Sequence, residues 1–137
     1  MPYATAQDII DRYGNDQLLL IADRDGDGLV DAAVVDQALA DASAEIDAYL
    51  ATRYELPMAP VPTVLVRVCV DIVMYRLAAD ADMATEEKRI RFDDVITLLS
   101  RISTGKVSLG VVTPPESSNG AVLVNGPGRR FGRDKLL

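Results

Sequence analysis

The stretch Asp23-Arg24-Asp25-Gly26-Asp27-Gly28-Leu29-Val30-Asp31 has the residue types and spacing of a hard-cation loop. An EF-hand-type calcium loop places oxygen ligands at positions 1, 3, 5 and 9, a glycine at 6 and a bidentate carboxylate at 12. With Asp23 first, Asp25, Asp27, Gly28 and Asp31 all fill their places. The twelfth position is Val34, which has no ligand atom, and Asp36 falls two residues too late. Two readings stay open. In one, Asp23, Asp25, Asp27 and Asp31 form a weak cation site. In the other the stretch is a tight acidic turn, with glycines at positive φ and Asp31 capping the helix that follows.

Other chemistry has little support. The chain has no histidine, so the usual general base is missing. Its single cysteine, Cys69, sits in an apolar run and reads as a buried small side chain, not a nucleophile. One cysteine cannot form an internal disulfide. There is no phosphate loop with a lysine, and two Phe, five Tyr and no Trp are too few for a nucleic-acid stacking platform. No enzyme activity and no cofactor are expected.

These residues need elements to hold them. After the acidic turn, Val35, Leu39, Ala42, Ile46, Tyr49 and Leu50 recur at steps of three and four, with Arg53 closing the stripe. That spacing predicts a long amphipathic helix from Asp31 to near Tyr54, with Asp36, Ser43, Asp47 and Thr52 off the stripe. Pro57, Pro60 and Pro62 end it. Upstream, Thr5-Ala6-Gln7-Asp8 starts a short helix over 6–13 that stops at Gly14-Asn15, and 16–21 reads as a second short one. Both are too short to be stable alone and must pack on the long helix.

Pro62 suits the first residue of a helix over 63–80 that is apolar almost all round. Such a helix belongs at the centre of a bundle, or half in the core and half in a subunit interface. Arg67 and Asp71 are spaced to pair on its surface. Thr85 caps a third long helix, with Glu86 and Glu87 in its first turn and Phe92, Val95, Ile96, Leu99 and Ile102 on one face. Gly105 ends it, and the charged run 86–94 reads as a solvated face. The expected fold is all-α: a small bundle of three long and two short helices in residues 1–110, with an extended, flexible arm over 111–137.

A short extended segment at 107–111 leads into the arm, linker composition follows at 113–120, and Ala121-Val122-Leu123-Val124 is β-prone. It ends in Arg129, Arg130, Phe131, Arg133, Lys135, Leu136 and Leu137. The formal net charge of −7 divides unevenly: +3 over 129–137 and −10 over 1–128. A basic end with an aromatic and two leucines reads as a docking peptide, with a solvated terminus that has no partner as the plainer alternative; Arg129, Arg130, Phe131, Arg133, Leu136 and Leu137 are the expected interaction residues. The acidic body argues against duplex DNA as a bound partner. No uncharged apolar run reaches membrane-span length and no signal-peptide pattern opens the chain.

Several motifs together resemble a known family. Tyr3-Ala4-Thr5 with Asp8-Ile9-Ile10-Asp11-Arg12-Tyr13-Gly14, the acidic turn, and the run from Ala38 through Ala44-Glu45-Ile46-Asp47-Ala48-Tyr49-Leu50 are similar to proteins of Mu-like bacteriophages and prophages. Arg53-Tyr54-Glu55-Leu56-Pro57 and Gly105-Lys106-Val107-Ser108-Leu109-Gly110 extend the resemblance over 1–110. That family resembles head–tail connector (adaptor, head-completion) proteins. The resemblance implies a helical subunit of a homo-oligomeric ring in the virion, synthesised in the host cytoplasm. It implies the portal and tail-side neck or tail-terminator proteins as neighbours, with DNA passing through unbound. The competing reading is a small acidic helical binding module with a degenerate calcium loop.

Overall fold

A computed structural model describes residues 2–58 and 60–110. Five helices follow one another: α1 Ala6–Tyr13, α2 Asn15–Ala22, α3 Ala32–Leu50, α4 Thr63–Asp80 and α5 Glu86–Ser103. The described residues contain no strand, and the fold is the expected small all-α bundle. The basic end and the β-prone tetrapeptide lie outside the described residues.

Local chemistry sets most of the ends. Thr5 closes a full capping box: its hydroxyl accepts from the Asp8 N–H, and the Asp8 carboxylate accepts from the Thr5 N–H at 2.9 Å. Gly14, at φ +89°, ends α1 and begins α2, which lets two short helices meet in a sharp corner. Thr85 caps α5 through the Lys88 N–H. Pro62 stands just before α4, one position earlier than expected, and its carbonyl accepts from the Leu65 N–H. Helix α3 stops at Leu50, a turn short of Tyr54, so Arg53 is an exposed residue beyond the helix.

Helix α4 is the centre. It packs against α3 and α5, which also touch each other, while α1 and α2 lie against it from outside. Leu65, Val68, Val70, Ile72, Val73, Met74 and Leu77 are buried around nearly its whole circumference. That is the apolar, all-round pattern satisfied by neighbours on several sides. Ile9, Leu18, Ile46, Leu50, Leu99 and Ile102 complete the core from the other helices. Hydrophobic burial on this scale is what holds the short α1 and α2 in place.

Two polar residues go into this core against expectation. Ser43 is buried, not off the stripe of α3, because its hydroxyl accepts the Tyr3 N–H at 3.0 Å and lies 3.9 Å from Cys69 Sγ. Asp71 is also buried, not on the surface of α4. Its Arg67 neighbour stands 3.7 Å away, but its closer partner is the Tyr13 hydroxyl, which donates to it at 2.7 Å. Both departures obey one rule: a polar group enters a core when a partner waits there.

Candidate functional site

The acidic turn links α2 to α3 and is built largely by its own carboxylates. Asp23 Oδ1 accepts from the N–H groups of Gly26 (2.9 Å) and Asp27 (3.2 Å), and Oδ2 from Gly28 (3.0 Å). Asp25 Oδ1 accepts from Asp27 N–H, and Asp27 Oδ1 from Leu29 N–H at 2.8 Å. These are the local side-chain-to-backbone bonds of Asx turns, with Gly26 and Gly28 at positive φ to aim their N–H groups inward. Asp31 occupies the N-cap position of α3, yet its side chain makes no cap bond. It turns back and accepts from the Arg24 N–H at 2.9 Å, closing the loop in place of the helix.

Carboxylate oxygens of Asp23, Asp25 and Asp27 come within 4.8 Å of one another, so the expected spacing is realised in space. Charge then separates their protonation. Burial pushes the Asp23 carboxyl up, but the Gly28, Gly26 and Asp27 N–H groups outweigh it and hold it below its ordinary value. Asp25 is pushed up: the Asp27 N–H pulls it down, and burial with the Asp23 and Asp27 carboxylates prevails. Val34, at the twelfth position, packs against the hydrophobic core. The trio therefore lacks the bidentate ligand, and the fourth candidate, Asp31, is engaged with Arg24.

Cys69 is fully buried on α4. Burial pushes its thiol up to about 11, so at neutral pH it is an uncharged packing group. No pattern in the sequence marks two tyrosine networks that the fold assembles. Tyr3 anchors the N-terminal residues to α3 by its N–H to Ser43 and its hydroxyl to Asp47. Tyr13 joins three helices: its hydroxyl donates to Asp71 on α4 and accepts from Arg91 on α5 at 3.0 Å, with the same guanidinium over its ring. Arg91 stays exposed, as the run 86–94 predicts, and reaches Tyr13 from that solvated face. Burial, then the hydrogen bonds to these carboxylates, raises both phenols above the ordinary tyrosine range. These partners are 40 to 78 residues apart in the chain, which no local spacing rule reaches.

The surface carries one further arrangement of interest. An open groove of about 560 Å³ runs between α3 and α4, bordered by Arg24, Val34, Ala38, Asp41, Arg76 and Leu77 among others. Arg76 donates to Glu45 at 2.6 Å and lies over the Phe92 ring, itself stacked on Tyr75 at 4.6 Å. The six interaction residues of the basic end lie outside the described residues. Among the described residues, no helix is long and apolar enough to cross a membrane.

Comparison with known proteins supplies what geometry does not. Residues 3–124 match the family model described as "Bacteriophage Mu, Gp36". The Mu-like prophage FluMu protein gp36 of Haemophilus influenzae is 39 % identical over 124 residues, covering 88 % of this chain and 86 % of that protein. Gene product J of Escherichia phage Mu is 39 % identical over 112 residues, covering 81 % of this chain and 78 % of that protein. The match spans every helix of the bundle and both tyrosine networks, and the chain belongs to the bacteriophage Mu Gp36 family.

Proposed function

We propose that this protein is a structural subunit of the phage neck. In this reading it forms a homo-oligomeric head–tail connector ring between the portal and the tail, and completes the head after DNA packaging. Membership of the Mu family carries the reading, since it makes the chain a Mu-like phage protein. The chemistry of the bundle is consistent with it. The described residues bring no nucleophile together with a base, and the buried thiol is held uncharged. A charge of −10 over 1–128 suits a ring through which DNA slides without sticking. Portal and tail-side neck or tail-terminator proteins are the neighbours this role requires.

The test is a phage from which this gene alone has been removed. Electron microscopy of the lysate should show DNA-filled heads and separate, complete tails. Restoring the gene in trans should restore joined, infectious particles. Tailed particles in its absence, or heads that never fill, would overturn the reading.

A further inference from the structure

The groove between α3 and α4 has the features of a docking site. Ala33, Val34 and Ala38 give it apolar surface, and Asp41 and Asp80 border it with carboxylates. Its own arginines are matched already, Arg76 with Glu45 at 2.6 Å and Arg24 with Asp80 at 3.9 Å. At the Arg24 end it meets the acidic turn, where Asp23, Asp25 and Asp27 crowd together and Leu29 is 68 % exposed. Met83, 46 % exposed, follows α4 at the same end, held by its N–H to the Ala78 carbonyl at 2.7 Å. Exposed apolar side chains set in an acidic field ask for a segment that is apolar and basic.

The sequence contains one such segment. Residues 129–137 combine Phe131, Leu136 and Leu137 with a net charge of +3. The path toward it starts at the far end of the bundle, because the Leu109 N–H donates to the Tyr54 hydroxyl beyond the C-terminus of α3. Helix α3, at 19 residues, separates the two ends by roughly 28 Å. The 18 residues from 111 to 128 reach up to roughly 60 Å when extended, which is enough for a neighbour. A subunit that offers a segment from one end and receives one at the other makes a heterologous contact, the type that closes rings.

We propose that this groove binds residues 129–137 of a second copy of the chain. Phe131 and the terminal leucines cover Ala33, Val34 and Ala38, while Arg129, Arg130 and Arg133 meet Asp41 and the acidic turn. The proposal takes its second copy from the ring reading, but its test needs no phage, so the two fail separately.

The experiment uses full-length chain carrying Phe131→p-benzoylphenylalanine, mixed in equal parts with heavy-isotope copies, irradiated and digested. Mass spectrometry should find position 131 linked to peptides containing Ala33, Val34, Ala38 or Asp41, with heavy–light pairs prominent. Molar salt should reduce these links about tenfold, because charge steers the encounter. Ala33→Arg with Asp41→Lys, both exposed on α3, should remove them while circular dichroism stays unchanged. Links only within one isotope, links only to other surfaces, or no links would each overturn the proposal.

Discussion

Asp23 and Asp27 look alike in the sequence, and the structure gives them different work. Asp23 receives three backbone N–H groups and holds the turn together, whereas Asp27 receives one. Asp23→Ala should therefore lower the melting temperature clearly, and Asp27→Ala should leave it nearly unchanged, as thermal melts of the two variants would show. Millimolar calcium should move it by no more than about two degrees, since Val34 leaves the bidentate place unfilled. A rise of about ten degrees would restore the calcium-module reading. The spacing of this turn was legible in the sequence because Asx turns are local. The direction of Asp31 was not, because the first N–H groups of α3 and the Arg24 N–H compete for one carboxylate.

Tyr13 supplies the second test at this scale. Its phenol is raised in the folded chain, so it favours folding in full below the unfolded value of about 10 and loses that contribution as pH climbs through and above it. Stability should stay level from neutral pH to about 10 and then fall. Tyr13→Phe should soften that fall. It should also cost about 1–3 kcal/mol at neutral pH, because it strips the buried Asp71 of its closest donor. Denaturant titrations across pH read both effects. A variant as stable as the parent would place the weight of Asp71 on Arg67 alone.

At the scale of elements, apolar periodicity and caps located all five helices. Helix α4 ran from Thr63 to Asp80 as expected because Pro62 and the continuous apolar run leave little choice. Helix α3 ended early because nothing local marks Leu50; the chain turns there as Thr52 bonds across to Ser103, the last residue of α5. Such a contact belongs to the packed bundle, not to the stripe. Ile72 lies at the middle of α4, fully buried. Ile72→Asp should abolish soluble folding, since an unpaired buried carboxylate costs several kcal/mol, on the order of a small domain's whole stability. A soluble variant with an unchanged helical spectrum would move that face to the outside of the bundle.

For the whole molecule, the five helices bury their apolar residues among themselves within residues 2–110. Deleting residues 114–137 should then leave the melting temperature within about two degrees of the parent. If the C-terminal residues carry assembly, the same deletion should fail to restore tailed particles in a phage lacking the protein. Normal titres would show that the body alone makes the joint. A −10 body and a +3 end are visible in the sequence without any fold. The groove proposed to receive that end was not legible, because it exists only once α3 and α4 are packed.

The central claim is a place in the particle, and electron cryomicroscopy of the mature virion tests it most directly. The account predicts a ring of density between portal and tail into which copies of the five-helix bundle fit, α4 innermost in each copy. A neck whose density is fully assigned to other chains, or purified virions without this protein, would contradict it.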